Sequence, residues 1–236
     1  MELKVDRLTK QYKNKIAVDR LSFSLRKGVT GLLGANGAGK TTLMRMVCGI
    51  LTPTSGDITY DGVPVSEESY REVLGYLPQD FGYYPEFSGR DFLMYFSALK
   101  GLSKKDAKAR TDELLEMVGL ADMAKKKVKT YSGGMKQRLG IAQALINRPE
   151  VLIMDEPTAG LDPKERVRFR NLIEDIGKDN IVLLSTHIVS DIEHIADRVI
   201  MMKSGQIIWQ GKWGEADGSL EDFYLKEFDE GGAGDE

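Results

Sequence analysis

Residues 34–41 read Gly-Ala-Asn-Gly-Ala-Gly-Lys-Thr and fit the pattern Gly-x-x-x-x-Gly-Lys-Ser/Thr. The apolar run from Val29 to Leu33 precedes this loop. Four apolar residues follow it at helical spacing: Leu43, Met46, Val47 and Ile50. The pattern therefore predicts a strand, a glycine-rich loop and the N-terminus of a helix in direct succession.

A loop of this kind is suited to a polyphosphate. Glycines let backbone amides approach an anion without side chains in the way, and the helix dipole favours negative charge there. Lys40 can reach the outer phosphates of a nucleoside triphosphate, and the Thr41 hydroxyl is placed to coordinate Mg²⁺. The alternative is a plain glycine-rich turn, which we disfavour because such a match arises by chance in roughly one chain in a hundred of this length.

Composition limits the classes of protein to consider. The chain has 236 residues, 42% of them hydrophobic, and a net charge of -3. This length suits one large domain or two small ones, and the charge gives no support to nucleic-acid binding by bulk electrostatics. Cys48 is the single cysteine and is expected to be a small core residue. We see no N-terminal signal pattern and no run of about 18 apolar residues, so we expect no membrane-spanning segment.

The first half of the chain divides into strands and then helices. Alternating apolar positions predict half-buried antiparallel strands at Leu3 and Val5, and at Leu21, Phe23 and Leu25. Capping-box spacing at Ser88 and at Ser103 predicts the start of two helices. We predict that residues 86–147 are all-helical.

The second half predicts a parallel α/β sheet. Val151–Met154 and Ile181–Leu184 are short continuous apolar runs, typical of strands buried on both faces. Two apolar stripes predict helices, one through Phe169, Leu172, Ile173 and Ile176 and one through Ile188, Ile192 and Ile195. Residues 230–236, rich in glycine and acid, are expected to be disordered.

Two adjacent carboxylates, Asp155 and Glu156, end the first of these buried strands. Open α/β sheets place their sites at the carboxyl edge, and adjacent residues on an extended chain point in different directions. We therefore assign Asp155 to metal and Glu156 to the water that attacks the terminal phosphate. Without the phosphate loop, a solvated strand end would be the better interpretation.

A second small-residue loop, Tyr131-Ser132-Gly133-Gly134-Met135, also precedes apolar residues at helical spacing. It could hold another phosphate group, or it could be a plain N-cap and turn. The residues alone leave both interpretations open.

The three motifs in this order resemble the nucleotide-binding subunit of ATP-binding cassette (ABC) transporters, over nearly the whole chain to about residue 212. The first loop resembles the Walker A motif, Asp155 and Glu156 resemble Walker B, and Ser132-Gly133-Gly134 resembles the signature motif. The resemblance implies that ATP is bound by the Walker A residues Gly34, Asn36, Gly37, Ala38, Gly39, Lys40, Thr41 and Thr42.

Four further positions match motifs of the family. Gln79 resembles the Q-loop glutamine, Asp162 the D-loop aspartate, His187 the switch histidine and Tyr12 the aromatic residue that stacks on adenine. The resemblance implies that Mg²⁺ is held by Thr41, Gln79 and Asp155. It implies that the catalytic residues are Lys40, Gln79, Glu156 and His187.

The resemblance also implies a fold and an assembly. The fold is an α/β P-loop NTPase, with a RecA-like parallel sheet core, an N-terminal antiparallel β-subdomain and an inserted all-helical subdomain. One domain is expected over residues 1–229, with 1–85 and 148–215 as core and β-subdomain, 86–147 as helical subdomain and 230–236 as an acidic tail. In the family two cassettes pair head to tail, so that each signature loop covers the ATP held by the other subunit.

The expected partners are therefore a second ABC ATPase subunit and a transmembrane permease, with no nucleic acid, at the inner face of the cell membrane. Tyr131 and Met135 replace the leucine and glutamine of the commonest signature, a variant that resembles bacterial exporter-type cassettes. The alternative is a soluble ABC-type ATPase switch in DNA repair or translation. Such relatives carry coiled-coil insertions, zinc modules or two cassettes, and this sequence has one cassette without heptads or a cysteine cluster.

Three minor features complete the sequence. The run Lys125, Lys126, Lys127 and Lys129 is either a solvated linker or a surface for anionic lipid or an acidic partner loop. His194 is expected to be a partly exposed helix residue and not a ligand. Trp209 and Trp213 are expected to pack near a hairpin that turns at Lys203-Ser204-Gly205.

Overall fold

The computed structural model describes residues 1–214 and 218–229, so the tail predicted at 230–236 lies outside the described residues. The strands are β1 Leu3–Tyr12, β2 Lys15–Leu25, β3 Gly28–Leu33, β4 Ser55–Tyr60, β5 Val63–Pro64, β6 Leu74–Leu77, β7 Val151–Asp155, β8 Ile181–Thr186, β9 Arg198–Lys203 and β10 Gln206–Lys212. The α-helices are α1 Lys40–Val47, α2 Glu68–Val73, α3 Gly89–Leu99, α4 Lys104–Met117, α5 Gly133–Ala144, α6 Pro163–Gly177 and α7 Leu220–Asp229.

The strands form two sheets. The first is antiparallel, with strand order β2-β1-β4-β5, as the alternating pattern at the N-terminus predicts. The second has the order β10-β9-β3-β8-β7-β6, parallel throughout except for the β9-β10 hairpin at its edge. The prediction of an α/β fold with a parallel core sheet is confirmed.

The register of the parallel sheet brings the two principal motifs together. Leu33, the last residue of β3, pairs with Thr186 of β8, and Asp155 of β7 pairs with Ser185. Strands β3, β7 and β8 therefore end at one edge, because parallel strands in register share their carboxyl ends. Every residue of β7 and β8 is buried, as the continuous apolar runs predict.

Helices occupy the segment between β6 and β7. Helix α3 begins at a complete capping box of Ser88 and Asp91, and Ser103 caps α4 by accepting from the Asp106 amide. Short 3-10 turns at 121–123 and 128–130 join α4 to α5, and an isolated β-bridge links Ser88 to Lys127. This agrees with the helical content predicted for residues 86–147.

Two predictions about helices are wrong. The stripe of Ile188, Ile192 and Ile195 forms a 3-10 turn at Val189–Asp191 and further turns, although Ile192 and Ile195 are buried. Contacts with distant residues fix the conformation of the segment between β8 and β9, among them the hydrogen bond from Thr158 to Asp191, and these override the helical pattern. Ile50 lies beyond the end of α1 and is exposed, because Gly49 adopts a φ of 67° and ends the helix.

Apolar residues pack on both faces of the parallel sheet, and Cys48 is buried among them as predicted. The predicted hairpin turn lies between β9 and β10, and Trp209 and Trp213 pack edge to face with ring centroids 6.1 Å apart. Within the residues that the structure describes, no helix has the length and apolar character needed to cross a membrane.

Candidate functional site

The loop between β3 and α1 is shaped by its glycines. Gly37 and Gly39 have φ angles of 84° and 106°, a region that side chains rarely adopt. A Cβ atom at Gly34 would lie 2.5 Å from the Met202 carbonyl oxygen, and one at Gly39 would lie 2.4 Å from the Ala17 oxygen. Gly39 also precedes α1 and has no side chain, so no N-cap side chain accepts a hydrogen bond from the first-turn amides of the helix. The predicted phosphate loop therefore presents backbone donors at a helix N-terminus.

A cavity of about 490 Å³ lies against this loop. Its volume falls in the range of small-molecule sites, roughly 300–1,000 Å³. The cavity is lined by most of the residues predicted to bind nucleotide: Tyr12, Asn36, Gly37, Ala38, Gly39, Lys40, Thr41 and Thr42, together with Gln79 and Glu156. Gly34 is not in the lining because it is packed beneath the loop. Lys15 and Ala17 also line the cavity, and no motif in the sequence identified them.

Glu156 contacts two other predicted catalytic residues, Lys40 and His187. Its Oε1 atom lies 3.3 Å from Lys40 Nζ, and its Oε2 atom lies 2.9 Å from His187 Nδ1. Lys40 and Glu156 are both buried, and Lys40 also donates to the Gly34 carbonyl at 2.5 Å. Burial strengthens such interactions because water screens them less.

The backbone of Glu156 is unusual. Its φ of 50° is left-handed, which is rare for a residue with a long side chain. The Glu156 amide donates to Ser185, both to the side-chain oxygen at 3.0 Å and to the carbonyl oxygen at 3.2 Å. These bonds hold the sharp turn after β7, and the Glu156 side chain lines the cavity.

Asp155 lies next to Glu156 in the chain but in a different environment. It is 1% exposed, and its Oδ1 atom accepts a hydrogen bond from Ser185 Oγ at 2.6 Å. Its Oδ2 atom is buried and has no hydrogen-bond partner among the described residues. A buried carboxylate oxygen in this condition requires an explanation, and a hard cation is a suitable partner for it.

The second glycine loop lies elsewhere. Ser132 caps α5 by accepting from the Met135 amide at 3.2 Å, and Gly133 is exposed. Ser132, Gly133 and Gly134 do not line the cavity, and neither does Asp162, which caps α6. One chain therefore does not bring its two glycine loops to the same cavity.

Sequence reasoning missed two polar contacts that support the site. Ser185 contacts both carboxylate residues through its side-chain oxygen. The only feature of the sequence that could have identified it is a hydroxyl residue within a buried apolar strand. Asp191 is 2% exposed, accepts from the Thr158 hydroxyl and pairs with Arg166 at 3.2 Å. This pair ties the segment after His187 to the segment after Glu156.

The remaining predicted features have ordinary surroundings. His194 is exposed in a turn, not in a helix as predicted. In the basic run, Lys127 and Lys129 pair with Glu86 at 2.8 and 2.9 Å. These two salt bridges hold the pKa of Glu86 down at about 2. Half of the run therefore belongs to a local ion-pair network.

Comparison with known proteins identifies the family. A family model described as ABC transporter matches residues 18–159. The ABC transporter ATP-binding protein YxlF of Bacillus subtilis is 42% identical over 211 residues, which cover 89% of this chain and 70% of that protein. A Nod factor export ATP-binding protein I of Burkholderia orbicola is 40% identical over 206 residues, which cover 86% of this chain and 68% of that protein. The solved structure of cbiO1 from Clostridium perfringens, part of the ABC transporter complex cbiONQ, matches with a TM-score of 0.83 and 31% identity, covering 96% of this chain and 94% of that one.

These findings agree with the geometry. The family match spans more than half of the chain and includes the phosphate loop and both carboxylates at the end of β7. The structural match extends over both sheets and the helices between them. The P-loop NTPase fold predicted from the motifs is therefore confirmed. The chain belongs to the ABC transporter family, as an ATP-binding subunit that hydrolyses ATP.

Proposed function

We propose that this subunit hydrolyses ATP in the cavity beside residues 34–42 to drive a separate transmembrane permease in the direction of export. The observation that carries the proposal is that Glu156, which lines that cavity together with Lys40, contacts both Lys40 and His187, 3.3 and 2.9 Å away. Hydrolysis of a terminal phosphate needs a cation on the phosphate and a carboxylate facing the water, and these residues supply both.

Three side chains act on the terminal phosphate. Lys40 binds the outer phosphate oxygens and stabilises the negative charge that they carry in the transition state. Glu156 accepts a hydrogen bond from the attacking water and takes its proton as the bond between the terminal phosphorus and the bridging oxygen breaks. His187 holds the Glu156 carboxylate through Nδ1 and contacts the terminal phosphate.

The rest of the nucleotide is held by the loop and by an aromatic ring. Asn36, Gly37, Ala38, Gly39 and Thr42 line the cavity and bind the phosphates, in part through backbone amides, and Gly34 lets the loop pack against the sheet. Tyr12, exposed at the cavity mouth, stacks on the adenine ring.

The residues also fit a magnesium ion. Asp155 supplies the buried Oδ2 atom, which has no hydrogen-bond partner in the described part of the chain, and Thr41 and Gln79 line the adjacent cavity. All three offer oxygen atoms, which Mg²⁺ prefers. When bound, the ion neutralises charge on the outer phosphates.

Two such subunits pair head to tail. Ser132, Gly133 and Gly134 present a helix N-terminus that does not line the cavity of their own chain. A helix N-terminus favours an anion, and the terminal phosphate held by a second cassette is the ligand that the family resemblance supplies. The second cassette is a copy of this chain or a different one. Asp162, at the start of α6, lies at the same contact.

Relatives support the assignment to a permease and to export. One is named for Nod factor export, and cbiO1 belongs to a complex with other subunits. These names favour a peripheral position on the inner face of the membrane. The segment 86–147 is then the helical subdomain that transmits the closure of the two paired cassettes to the permease. It belongs to a single domain of residues 1–229. No observation favours a soluble switch in DNA repair or translation, and no nucleic acid is needed.

The test is affinity purification of tagged Glu156→Gln protein from gently solubilised membranes of the native cell, with mass spectrometry of the proteins that accompany it. We expect a stoichiometric protein with several membrane spans. Recovery of ribosomal or DNA-associated proteins instead, with no membrane protein, would overturn the proposal.

A further inference from the structure

Glu165, in the first turn of α6, connects that helix to the start of α5. Its Oε2 atom lies 3.1 Å from Arg138 Nε, and its Oε1 atom accepts from Arg168 at 2.9 Å. The side chains of Arg138 and Glu165 are only 13% and 14% exposed, so the pair is largely shielded from water. Arg138 belongs to the helix that Ser132 caps.

Glu165 also packs directly on Gly134. A Cβ atom at Gly134 would lie 2.7 Å from Glu165 Cγ and 2.8 Å from Glu165 Oε2. At Gly133, by contrast, the nearest atom to a Cβ would be the Gly160 carbonyl oxygen, 4.0 Å away. The two glycines of the signature motif therefore have different structural roles. Gly134 makes room for a side chain of its own subunit, and Gly133 leaves an open surface.

The backbone of Glu165 is fixed as well. Its amide donates to Asp162 Oδ1 at 2.9 Å in the N-cap of α6. One residue thus contacts the D-loop aspartate through its backbone and the signature helix through its side chain. The two loops that would face a second cassette are joined by this residue.

We propose that Glu165 is a positioning residue that sets the orientation of the signature loop relative to the D-loop. This role rests on the proposed head-to-tail pairing, because the signature loop acts on the nucleotide of a second cassette. Loss of the Glu165 side chain leaves Arg138 bonded to the Val118 and Gly119 carbonyls at the end of α4. Helix α5 then keeps these hydrogen bonds to the end of α4 but loses the salt bridge from Arg138 to Glu165 of α6. The expected effect is therefore on pairing and not on the fold.

The experiment compares Glu165→Ala with Glu174→Ala, an exposed glutamate on the same helix, each in the full chain. In the Glu156→Gln background we expect Glu165→Ala to raise the concentration needed for ATP-dependent dimerisation about tenfold, as measured by sedimentation, a typical size for coupling between sites. ATP affinity of the monomer should stay within about twofold, since no Walker A contact changes. When Glu156 is intact, Glu165→Ala should lower kcat for ATP hydrolysis, and Glu174→Ala should leave it unchanged.

Conservative variants separate positioning from simple loss of fold. Glu165→Gln keeps the side-chain volume on Gly134 but removes the charge that pairs with Arg138, so it should recover only part of the dimerisation. Glu165→Asp keeps the charge but shortens the side chain by one methylene, and should dimerise as poorly as Glu165→Ala with unchanged ATP affinity. It also provides the test if Glu165→Ala fails to fold.

Amide hydrogen exchange gives a readout that needs no dimer. Peptides covering residues 130–138 should exchange faster in Glu165→Ala and at the original rate in Glu174→Ala. If Glu156→Gln alone fails to dimerise with ATP, the proposed pairing is wrong and this role of Glu165 fails with it. If Glu156→Gln dimerises and Glu165→Ala changes neither its dimerisation nor the exchange, the pairing stands and only the role of Glu165 is overturned.

Discussion

The Oε2 atom of Glu156 lies 2.9 Å from Nδ1 of His187, and the two residues are contributed by loops that follow neighbouring strands. An ionised carboxylate only accepts hydrogen bonds, so Nδ1 is the nitrogen that carries the proton in this contact. In the proposed mechanism the other ring nitrogen, Nε2, contacts a phosphate oxygen. The pair would then link the group proposed to face water to the group proposed to face phosphate, and both should be needed for turnover.

Glu156→Gln tests the carboxylate. The amide keeps the shape of the side chain but cannot take a proton from water, so we expect kcat to fall by about 10²- to 10⁴-fold. ATP binding should persist and the protein should accumulate as an ATP-bound dimer. Phosphate release and sedimentation in ATP measure the two effects. Normal turnover together with no dimer would show that Glu156 has another role.

His187→Ala tests the histidine, and the chain offers a matched control. His194 is the other histidine of the sequence and is exposed in a turn. We expect His187→Ala to lower kcat by about 10²-fold, a typical contribution of a positioned proton-transfer or phosphate-binding group. His194→Ala should leave it unchanged. Equal rates for the two variants would argue against the contact with Glu156 as part of the mechanism.

Tyr12→Ala tests adenine stacking. Tyr12 is 46% exposed at the cavity, and Lys10 lies over its ring at 5.4 Å. Stacking of a base on an aromatic side chain contributes about 1–3 kcal/mol, so the Kd for ATP should rise roughly five- to 150-fold. Tyr12→Phe should bind ATP normally, and tripolyphosphate, which has no base, should bind both variants equally. A uniform loss for ATP and tripolyphosphate would mean that the loop itself was disturbed.

Local patterns predicted most of this fold because they report on burial and backbone geometry within a few residues. The continuous apolar runs predicted β7 and β8, and the loop at residues 34–41 predicted the start of α1. The same patterns failed after His187, where isoleucines at helical spacing form a 3-10 turn. Spacing alone does not reveal that contacts with distant residues fix the conformation of a segment.

Contacts between distant parts of the chain account for what the sequence could not reveal about the site. Ser185 bonds to Asp155 and to the Glu156 amide, and Asp191 bonds to Thr158, across separations of 29 to 33 residues. No local pattern marks such partners. The motifs identified the residues at the cavity wall, whereas their supporting hydrogen bonds required the register of β7 and β8.

Acid titration tests the contact between Glu86 and the basic run. Lys127 and Lys129 lower the pKa of Glu86 from 4.5 to about 2 in the folded protein. A lowered carboxyl pKa stabilises the folded state above pH 4.5, and the stabilisation is lost as the pH falls through about 2. The difference in unfolding free energy between the original protein and Glu86→Gln should therefore be present at neutral pH and shrink between these values. A difference that does not change with pH would contradict the ion pairs.

The two signature glycines should respond oppositely to alanine in the isolated protein. At Gly134 the added methyl meets the Glu165 side chain at 2.7 Å, so Gly134→Ala should lower the free energy of unfolding by about 1–3 kcal/mol, the usual cost of overpacking. At Gly133 the methyl meets only the Gly160 carbonyl oxygen, at 4.0 Å without a clash, and Gly133→Ala should be neutral or stabilise the protein by up to about 1 kcal/mol, since alanine favours a helix more than glycine does.

Urea unfolding measures both glycine variants without nucleotide, so the result depends on neither dimerisation nor hydrolysis. Adding Glu165→Ala to Gly134→Ala removes the obstructing atoms, and the cost of Gly134→Ala should be smaller in that background than with Glu165 present. A cost for Gly134→Ala that is the same with and without Glu165 would show that another contact limits this position. The unfolding experiment measures stability separately from ATPase activity. If Gly133→Ala has normal stability but reduced ATPase activity, the loss would therefore come from the surface that Gly133 offers to the second cassette.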